Sequence, residues 1–179
     1  MAHWPDVADA TSMLVAIAGP NAGSPTAGAL CAEACAPALW QMLPGSALLA
    51  ALDEAWDPGA IPVTAIRSLQ DEFVPPESAA AIPGATVITV QDHCPGRPVS
   101  HAGLLADPVA YAAVASALAG GGTPDPAALD GVGCEQTTVA GMDMAALDAA
   151  AAASLTAVLG AETVPAEPAV TLAVPGGGA

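Results

Sequence analysis

Three short apolar runs, separated by segments with helical signals, most constrain the fold of this 179-residue chain. They occupy residues 13–18, 61–66 and 85–90, and each lies within two residues of a glycine. The run 13–18 is uninterrupted, as is typical of a strand buried on both faces of a sheet. Alternation of such strands with helices predicts βαβ units, and therefore an α/β domain with about three parallel strands and flanking helices.

Capping signals predict where the helices begin. Ser46 and the pair Asp107-Pro108 each precede a helical pattern, as a capping residue and a first-turn proline do. An alanine-rich helix is predicted over 143–160. Turn-forming residues predict irregular structure over the segments 19–29, 91–106 and 123–141.

The predicted sheet is incomplete. A mean sheet has about five or six strands, and three are too few for a stable sheet covered on both faces. We interpret residues 1–160 as part of a larger α/β domain. Residues 161–179, which are rich in proline and include a run of three glycines, are predicted to form a flexible tail.

The charge balance excludes several classes of partner. Arg67 and Arg97 are the only basic residues other than histidine against 18 acidic residues, for a formal net charge of −16. No basic patch can neutralise phosphates, so we expect neither nucleic-acid binding nor attraction to an anionic membrane surface. No uninterrupted apolar stretch reaches the ~18 residues of a transmembrane helix. The start of the chain also lacks the basic and apolar regions of a signal peptide.

Asp71 and His101 are the main candidates for catalytic residues. Asp71 follows the second apolar run, and His101 follows the third. Loops at the carboxyl ends of parallel strands are where catalytic groups collect. An acid followed by a histidine is also the second part of the order serine, acid, histidine found in one large class of hydrolases. We therefore expect the Asp71 carboxylate to orient the His101 imidazole for general-base catalysis.

A nucleophile for this pair is missing from the sequence. The chain contains no Gly-x-Ser-x-Gly motif, and four of its serines lack the strand-turn-helix context that a nucleophilic serine needs. These serines are Ser12, Ser24, Ser46 and Ser100. His3 and His93 are alternative histidines, and a surface aspartate with an unrelated loop histidine is the alternative interpretation of the pair.

The cysteines allow more than one interpretation. They are Cys31, Cys35, Cys94 and Cys134. Two disulfides, in any of three pairings, imply an exported protein, whereas four reduced thiols imply a cytosolic one. The spacing of the first two cysteines also approaches that of zinc ligands, but the other two form no second close pair. Among these interpretations we favour disulfides.

Four motifs, in order between residues 13 and 105, resemble those of the lipases similar to Candida antarctica lipase B. The segment 68–76, Ser-Leu-Gln-Asp-Glu-Phe-Val-Pro-Pro, resembles the acid loop of that family. The segment 99–103, Val-Ser-His-Ala-Gly, resembles its histidine loop. The segment 38–48 is similar to a Val-Trp-Gln-Gln segment followed by Gly-Ser-Ala-Leu, and 16–21 to a strand that ends in Phe-Ala-Pro-Asp.

This resemblance implies the C-terminal part of an α/β-hydrolase fold, without the half that carries the nucleophile. It implies hydrolysis of carboxylic esters, including lipids, with Asp71 as the acid of the catalytic triad and His101 as its general base. It implies no metal and no organic cofactor, and a small-molecule ester as the partner. Because the serine would lie outside these residues, we expect this chain to be inactive alone.

The resemblance also implies substrate-binding residues. Phe73 and Val74 match an apolar pair that lines the substrate pocket, and Asn21 takes the place of a pocket aspartate. Gln41 lies in the motif near the acyl side of that pocket. The C-terminal helix is implied to form a pocket wall through Ala150, Ser154 and Ala157.

The same resemblance implies that Cys94 pairs with Cys134, which leaves Cys31 with Cys35. These bonds imply that the full-length protein is secreted. Two other interpretations of the chain stay open. One is a catalytically inactive remnant, or acyl-binding module, that retains the pocket wall; the other is an unrelated acidic α/β domain.

Overall fold

The computed structural model describes residues 7, 9–31 and 33–170. The strands are β1 (Leu14–Ile17), β2 (Val63–Arg67) and β3 (Thr86–Thr89). They form a parallel sheet in the order β1-β2-β3, with Leu14 opposite Val63. The three predicted strands and the predicted α/β arrangement are therefore confirmed.

Short helices connect and cover the strands. They are α1 (Pro25–Ala29), α2 (Pro37–Gln41), α3 (Ala47–Glu54), α4 (Pro76–Ala79), α5 (Val90–His93), α6 (Pro108–Ala119), α7 (Pro126–Asp130) and α8 (Met144–Leu159), with a 3₁₀ turn at Ala102–Leu105. The predicted caps are present. The Ser46 hydroxyl accepts a hydrogen bond from the backbone N–H of Leu49 at 3.2 Å, at the start of α3. The Asp107 carboxylate accepts hydrogen bonds from the N–H groups of Val109 and Ala110 at 2.8 and 3.1 Å, at the start of α6.

Three segments that the sequence predicts to be irregular contain short helices. They are 19–29, which contains α1, 91–106, which contains most of α5 and the 3₁₀ turn, and 123–141, which contains α7. In α1 and α7 a capping side chain precedes a proline at the first helical position. Ser24 accepts a hydrogen bond from the N–H of Ala27 at 3.3 Å, and Asp125 from that of Ala127 at 2.9 Å. These caps, with the burial of Ala27 and Leu129, outweigh the turn-like composition.

The core lies between the sheet and α6. β2 is the central strand, and its residues from Val63 to Ile66 are at most 4% exposed. α6 packs against β1 and β2, and its Val109, Ala110 and Ala113 share a buried cluster with Ile66. Because alanine side chains are small, the helix approaches the sheet closely. This packing supports β2, from whose carboxyl end the loop with Asp71 leaves.

α8 lies on the surface and packs against the 3₁₀ turn. None of its 16 residues is buried. Neither α8 nor any other helix in the described part of the chain is long and apolar enough to cross a membrane.

Two disulfides hold the loops. Cys94–Cys134 joins the end of α5 to the segment after α7, and Cys31–Cys35 lies in the connection between α1 and α2. These are the two pairs that the family resemblance implies. The longer bond closes a loop that contains the histidine segment, so it limits how far that segment can move.

The first part of the predicted tail contacts the domain. Val164 and Cys35 exchange two backbone hydrogen bonds, at 2.9 and 3.2 Å, and the indole N–H of Trp40 donates to the Val164 carbonyl at 2.9 Å. The Glu167 carboxylate accepts from the N–H groups of Ala47 and Leu48, at 2.8 and 3.0 Å, and thus caps α3. Contacts over long sequence separation therefore hold residues up to 167, against the expectation of a flexible tail from 161. For residues 171–179, which lie outside the described residues, the flexible tail stays a prediction.

Removal of the Cys94–Cys134 bond, by changing both residues to serine, is expected to lower the free energy of unfolding by about 4 kcal/mol. The reason is that this bond joins residues 40 positions apart and so restricts the unfolded chain strongly. The same change at Cys31–Cys35, separated by four positions, is expected to cost only about 2 kcal/mol. Urea unfolding of both double variants measures the losses, and a larger loss for the short loop would contradict this account.

Candidate active site

The structure brings Asp71 and His101 together at the carboxyl edge of the sheet. Asp71 lies in the loop after β2, and His101 lies in the segment that follows β3 and α5. The Asp71 Oδ2 and His101 Nδ1 atoms are 2.9 Å apart, which is hydrogen-bond distance. The two residues meet because β2 and β3 are neighbouring parallel strands, whose carboxyl ends lie at the same edge.

The backbone of its own loop holds the Asp71 carboxylate. Its second oxygen, Oδ1, accepts hydrogen bonds from the N–H groups of Phe73 and Val74, both at 2.8 Å. The Asp71 side chain is only 2% exposed, whereas that of His101 is 38% exposed. The carboxylate is therefore fixed and shielded, and the imidazole is the partner that reaches solvent.

The environment shifts both pKa values in the direction that favours the ion pair. Burial acts to raise the pKa of Asp71, but the hydrogen bonds from His101, Val74 and Phe73 outweigh it and hold the pKa below its ordinary value of 3.8. The hydrogen bond to Asp71 raises the pKa of His101 above its ordinary value of 6.5. Burial opposes this rise, and the negative charges of Asp71 and Glu72 add to it.

This geometry decides which ring nitrogen of His101 can act as a base. Since the ionised carboxylate accepts, Nδ1 carries the proton in the neutral imidazole. Among the described residues, none makes a hydrogen bond to Nε2. A neutral imidazole with a buried carboxylate on one nitrogen and a free lone pair on the other is the arrangement that a general base requires.

Two neighbours of Asp71 also contact His101. The Glu72 carboxylate accepts a hydrogen bond from the backbone N–H of His101 at 3.0 Å. The Phe73 ring packs edge-on against the imidazole, with ring centres 5.6 Å apart. Sequence reasoning did not assign a role to Glu72, although its place directly after Asp71 was a usable signal.

A largely apolar cavity of about 720 Å³ opens beside His101. Its wall combines the end of β1, α1, α2, the acid loop, the 3₁₀ turn and one side of α8. The apolar residues of this wall include Ile17, Ala27, Leu30, Leu39, Met42, Val74, Leu155 and Val158. Of the described residues that line it, two are acidic, Glu72 and Asp148. The cavity can therefore hold an apolar group next to a base.

Ala18 borders the same cavity in an unusual backbone conformation. It directly follows β1, is 5% exposed and has a φ of 50°, in the left-handed region that a residue with a Cβ rarely adopts. Such conformations concentrate at functional sites, where the surrounding structure holds them. Here the N–H of Ala18 still donates to the carbonyl of Ile66 at 2.9 Å, so the sheet pairing continues up to the cavity.

The other residues predicted for the site do not all lie beside His101. Phe73, Val74 and Ser154 border the cavity beside His101. Asn21 and Gln41 instead border a second cavity, of about 510 Å³, between α2 and α3, and the Asn21 side chain donates to the carbonyl of Ala79 at 2.9 Å. Ala150 and Ala157 are exposed on α8 and are not among the residues that line either cavity.

Among the described alternatives to the candidate residues, His93, Ser24 and Ser100 have other hydrogen-bond partners. His93 contacts the carboxylate of Asp130 at 3.1 Å, and His3 lies outside the described residues. The Ser24 hydroxyl donates to the carbonyl of Phe73, and the Ser100 hydroxyl accepts from the N–H of Gly103 at 3.1 Å. Within the described residues no serine hydroxyl is hydrogen-bonded to His101, and no three metal-ligating side chains form a cluster that could hold a metal ion.

The fold is similar to that of a solved lipase. The crystal structure of Aspergillus fumigatus lipase B matches with a TM-score of 0.79 and 26% sequence identity. The match covers 93% of this chain and 45% of the lipase, so the chain spans less than half of that protein. No protein-family model and no curated protein matches the sequence. Together with the parallel sheet, the structural match shows a lipase-like α/β-hydrolase fold.

Asp71→Asn is expected to lower the pKa of His101 by about 1 pH unit or more, because the variant removes the negative charge that favours the imidazolium. An NMR titration of the ring Cε1–H resonance measures this pKa. Asp53→Asn, which removes an exposed carboxylate on α3, is the matched control and should leave the pKa of His101 unchanged. Equal pKa values in the wild type and Asp71→Asn would contradict the pairing.

Proposed function

We propose that this chain, which has a lipase-like α/β-hydrolase fold, supplies the acid and the general base of a serine lipase or esterase that hydrolyses carboxylic esters, including lipids. Asp71 is the acid and His101 the base. The nucleophilic serine comes from a segment outside these 179 residues. The observation that carries the proposal is the 2.9 Å hydrogen bond between the shielded Asp71 carboxylate and His101 Nδ1, at the edge of an apolar cavity.

In this proposal His101 moves the proton in both halves of the reaction. Its Nε2 takes the proton of the serine hydroxyl as the serine oxygen attacks the ester carbonyl, and then gives it to the departing alcohol oxygen. A water molecule then attacks the acyl-enzyme carbonyl and loses one proton to Nε2, which passes that proton to the departing serine oxygen as the carboxylic acid is released. Asp71 stays ionised and stabilises the imidazolium at each step. The reaction slows as the pH falls through the raised pKa of His101, since a protonated imidazole cannot act as a base.

The cavity favours an acyl group as the part of the substrate that binds beside His101. Its wall is mostly aliphatic and includes Phe73 and Val74, whose backbone N–H groups bind the Asp71 carboxylate. Burial of an acyl chain against such a wall is driven by about 25 cal/mol per Å² of apolar surface removed from water. The reaction needs neither a metal nor an organic cofactor.

The extent of the structural match supports the proposal that the nucleophilic serine lies outside this chain. The match covers 45% of the lipase, so more than half of that protein has no counterpart in this chain. Among the described strands, β1 is at one edge of the sheet. We propose that the complete sheet carries the serine on the far side of β1 and that this chain alone is inactive. The two disulfides support a secreted protein.

The test is ester hydrolysis by the protein translated with the reading frame upstream of Met1. That frame is expected to encode a strand, a Gly-x-Ser-x-Gly or similar serine turn, and a helix. Against p-nitrophenyl esters, Asp71→Asn should lower kcat by about 10⁴-fold, because the wrong imidazole tautomer then faces the serine. The control Asp53→Asn should keep the wild-type kcat.

Two results would contradict the proposal. One is an upstream sequence without such a serine turn, and the other is an unchanged kcat in Asp71→Asn. A protein that binds fatty acyl chains in this cavity but cleaves no ester would favour the alternative of an acyl-binding module.

A further inference from the structure

We propose that Gln91 and Ser68 are positioning residues that hold the acid loop and the histidine loop in register, so that Asp71 and His101 meet. A catalytic role for this positioning rests on the proposed function. The hydrogen bonds themselves form a network of residues that has no role in the proposed reaction. We define this network, the Gln91–Ser68 clip, as these two side chains and the backbone groups that they bind.

Gln91 links the two loops through both ends of its side-chain amide. Its Nε2 donates to the Ser68 hydroxyl and to the carbonyl of Arg97, each at 3.0 Å. Its Oε1 accepts from the backbone N–H of Leu69 at 3.0 Å. One side chain on α5 therefore binds the acid loop two residues before Asp71 and the segment that leads into the histidine loop, four residues before His101.

Ser68 makes a second connection between the same loops. Its hydroxyl donates to the carbonyl of Val99 at 2.6 Å and accepts from the N–H of Gln70 at 3.1 Å. Val99 precedes His101 by two residues, and Gln70 directly precedes Asp71. The clip thus fixes the backbone on both sides of the candidate pair.

Burial makes the loss of any of these hydrogen bonds costly. Ser68 is fully buried and Gln91 is 8% exposed, so water cannot easily replace a lost partner. The polar atoms of the two side chains bind groups of the protein, and the clip is therefore a closed network rather than a ligand site. A displacement of either loop by an ångström would leave buried polar groups without partners.

Arg97, two residues before the histidine loop, has further partners. The Arg97 guanidinium donates to the Asp107 carboxylate at 2.9 Å and to the carbonyl of Cys134 at 2.9 Å. Arg97 and Asp107 are both buried. Since the Arg97 carbonyl binds Gln91, the clip connects the acid loop to α6 and to the disulfide-bonded segment.

The pKa of His101 reports the geometry that the clip controls. The charged groups that face His101 are Asp71 and Glu72 in the acid loop and Asp148 on α8, which borders the same cavity. Gln91 and Ser68 are uncharged, so their substitution changes no charge near the imidazole. A change in the pKa of His101 in such variants therefore reports a change in its distance or orientation relative to Asp71.

The test is an NMR titration of His101 in the full 179-residue chain carrying Ser68→Ala or Gln91→Met. Each variant should lower the pKa of His101 by about half a pH unit or more, towards the value in Asp71→Asn. Thr64→Val is the matched control. Thr64 is fully buried on β2, four residues before Ser68, and its hydroxyl donates to the carbonyl of Gly122 at 2.8 Å, so the control loses one buried hydrogen bond outside the clip.

An unchanged pKa of His101 in folded Ser68→Ala would overturn the proposal. An equal drop in Thr64→Val would do the same, because the effect would then follow from general loosening of the fold. If Gln91→Met does not fold, the milder Ser68→Ala decides, because it leaves the bonds from Gln91 to Leu69 and Arg97 in place. Failure of both variants to fold would also overturn it, since the clip would then stabilise the whole domain rather than position the pair.

The titration separates this inference from the proposed function. The pKa of His101 is measured on the chain without any serine, so the absence of ester hydrolysis leaves this result valid. In the protein that includes the serine segment, the same variants should lower kcat by about 10-fold while KM changes little, because misalignment of the base affects the transition state more than substrate binding.

Discussion

The hydrogen bond between Asp71 and His101 is the interaction on which the rest of the site depends. A carboxylate as shielded as that of Asp71 is costly to keep ionised unless it has partners. It has three: the imidazole and the N–H groups of Phe73 and Val74. In return the carboxylate selects the imidazole tautomer and stabilises its charged form. The cavity is a candidate substrate site because this pair places a base at its edge.

The scaffold makes that bond possible through parallel strands and a few long-range ties. β2 and β3 end at the same edge of the sheet, which brings residues 30 positions apart into contact. The acid loop and the histidine loop then share the buried amide of Gln91. The Cys94–Cys134 bond and the Arg97–Asp107 ion pair hold the far side of the histidine loop. Small residues in α6 allow this helix to pack against β1 and β2.

Local signals in the sequence predicted the scaffold, and long-range contacts account for what it could not predict. Apolar runs predict the three strands, and the caps at Ser46 and Asp107 predict α3 and α6. By contrast, α8 is rich in alanine and has no clear apolar stripe, so sequence alone cannot tell which side faces the cavity. The cavity is lined by Ala151 and Leu155 rather than by the neighbouring Ala150 and Ala157. The contacts of Glu167 and Gln91 join segments far apart in the chain and leave no local pattern.

The tautomer of His101 at a pH above its pKa tests the central claim most directly. In protein labelled with ¹⁵N in its histidines, the ring nitrogen shifts distinguish a protonated Nδ1 from a protonated Nε2. The account predicts that Nδ1 carries the proton, because Asp71 accepts it, and that Nε2 holds the free lone pair. A neutral His101 protonated at Nε2, or an equal mixture of the two tautomers, would contradict it.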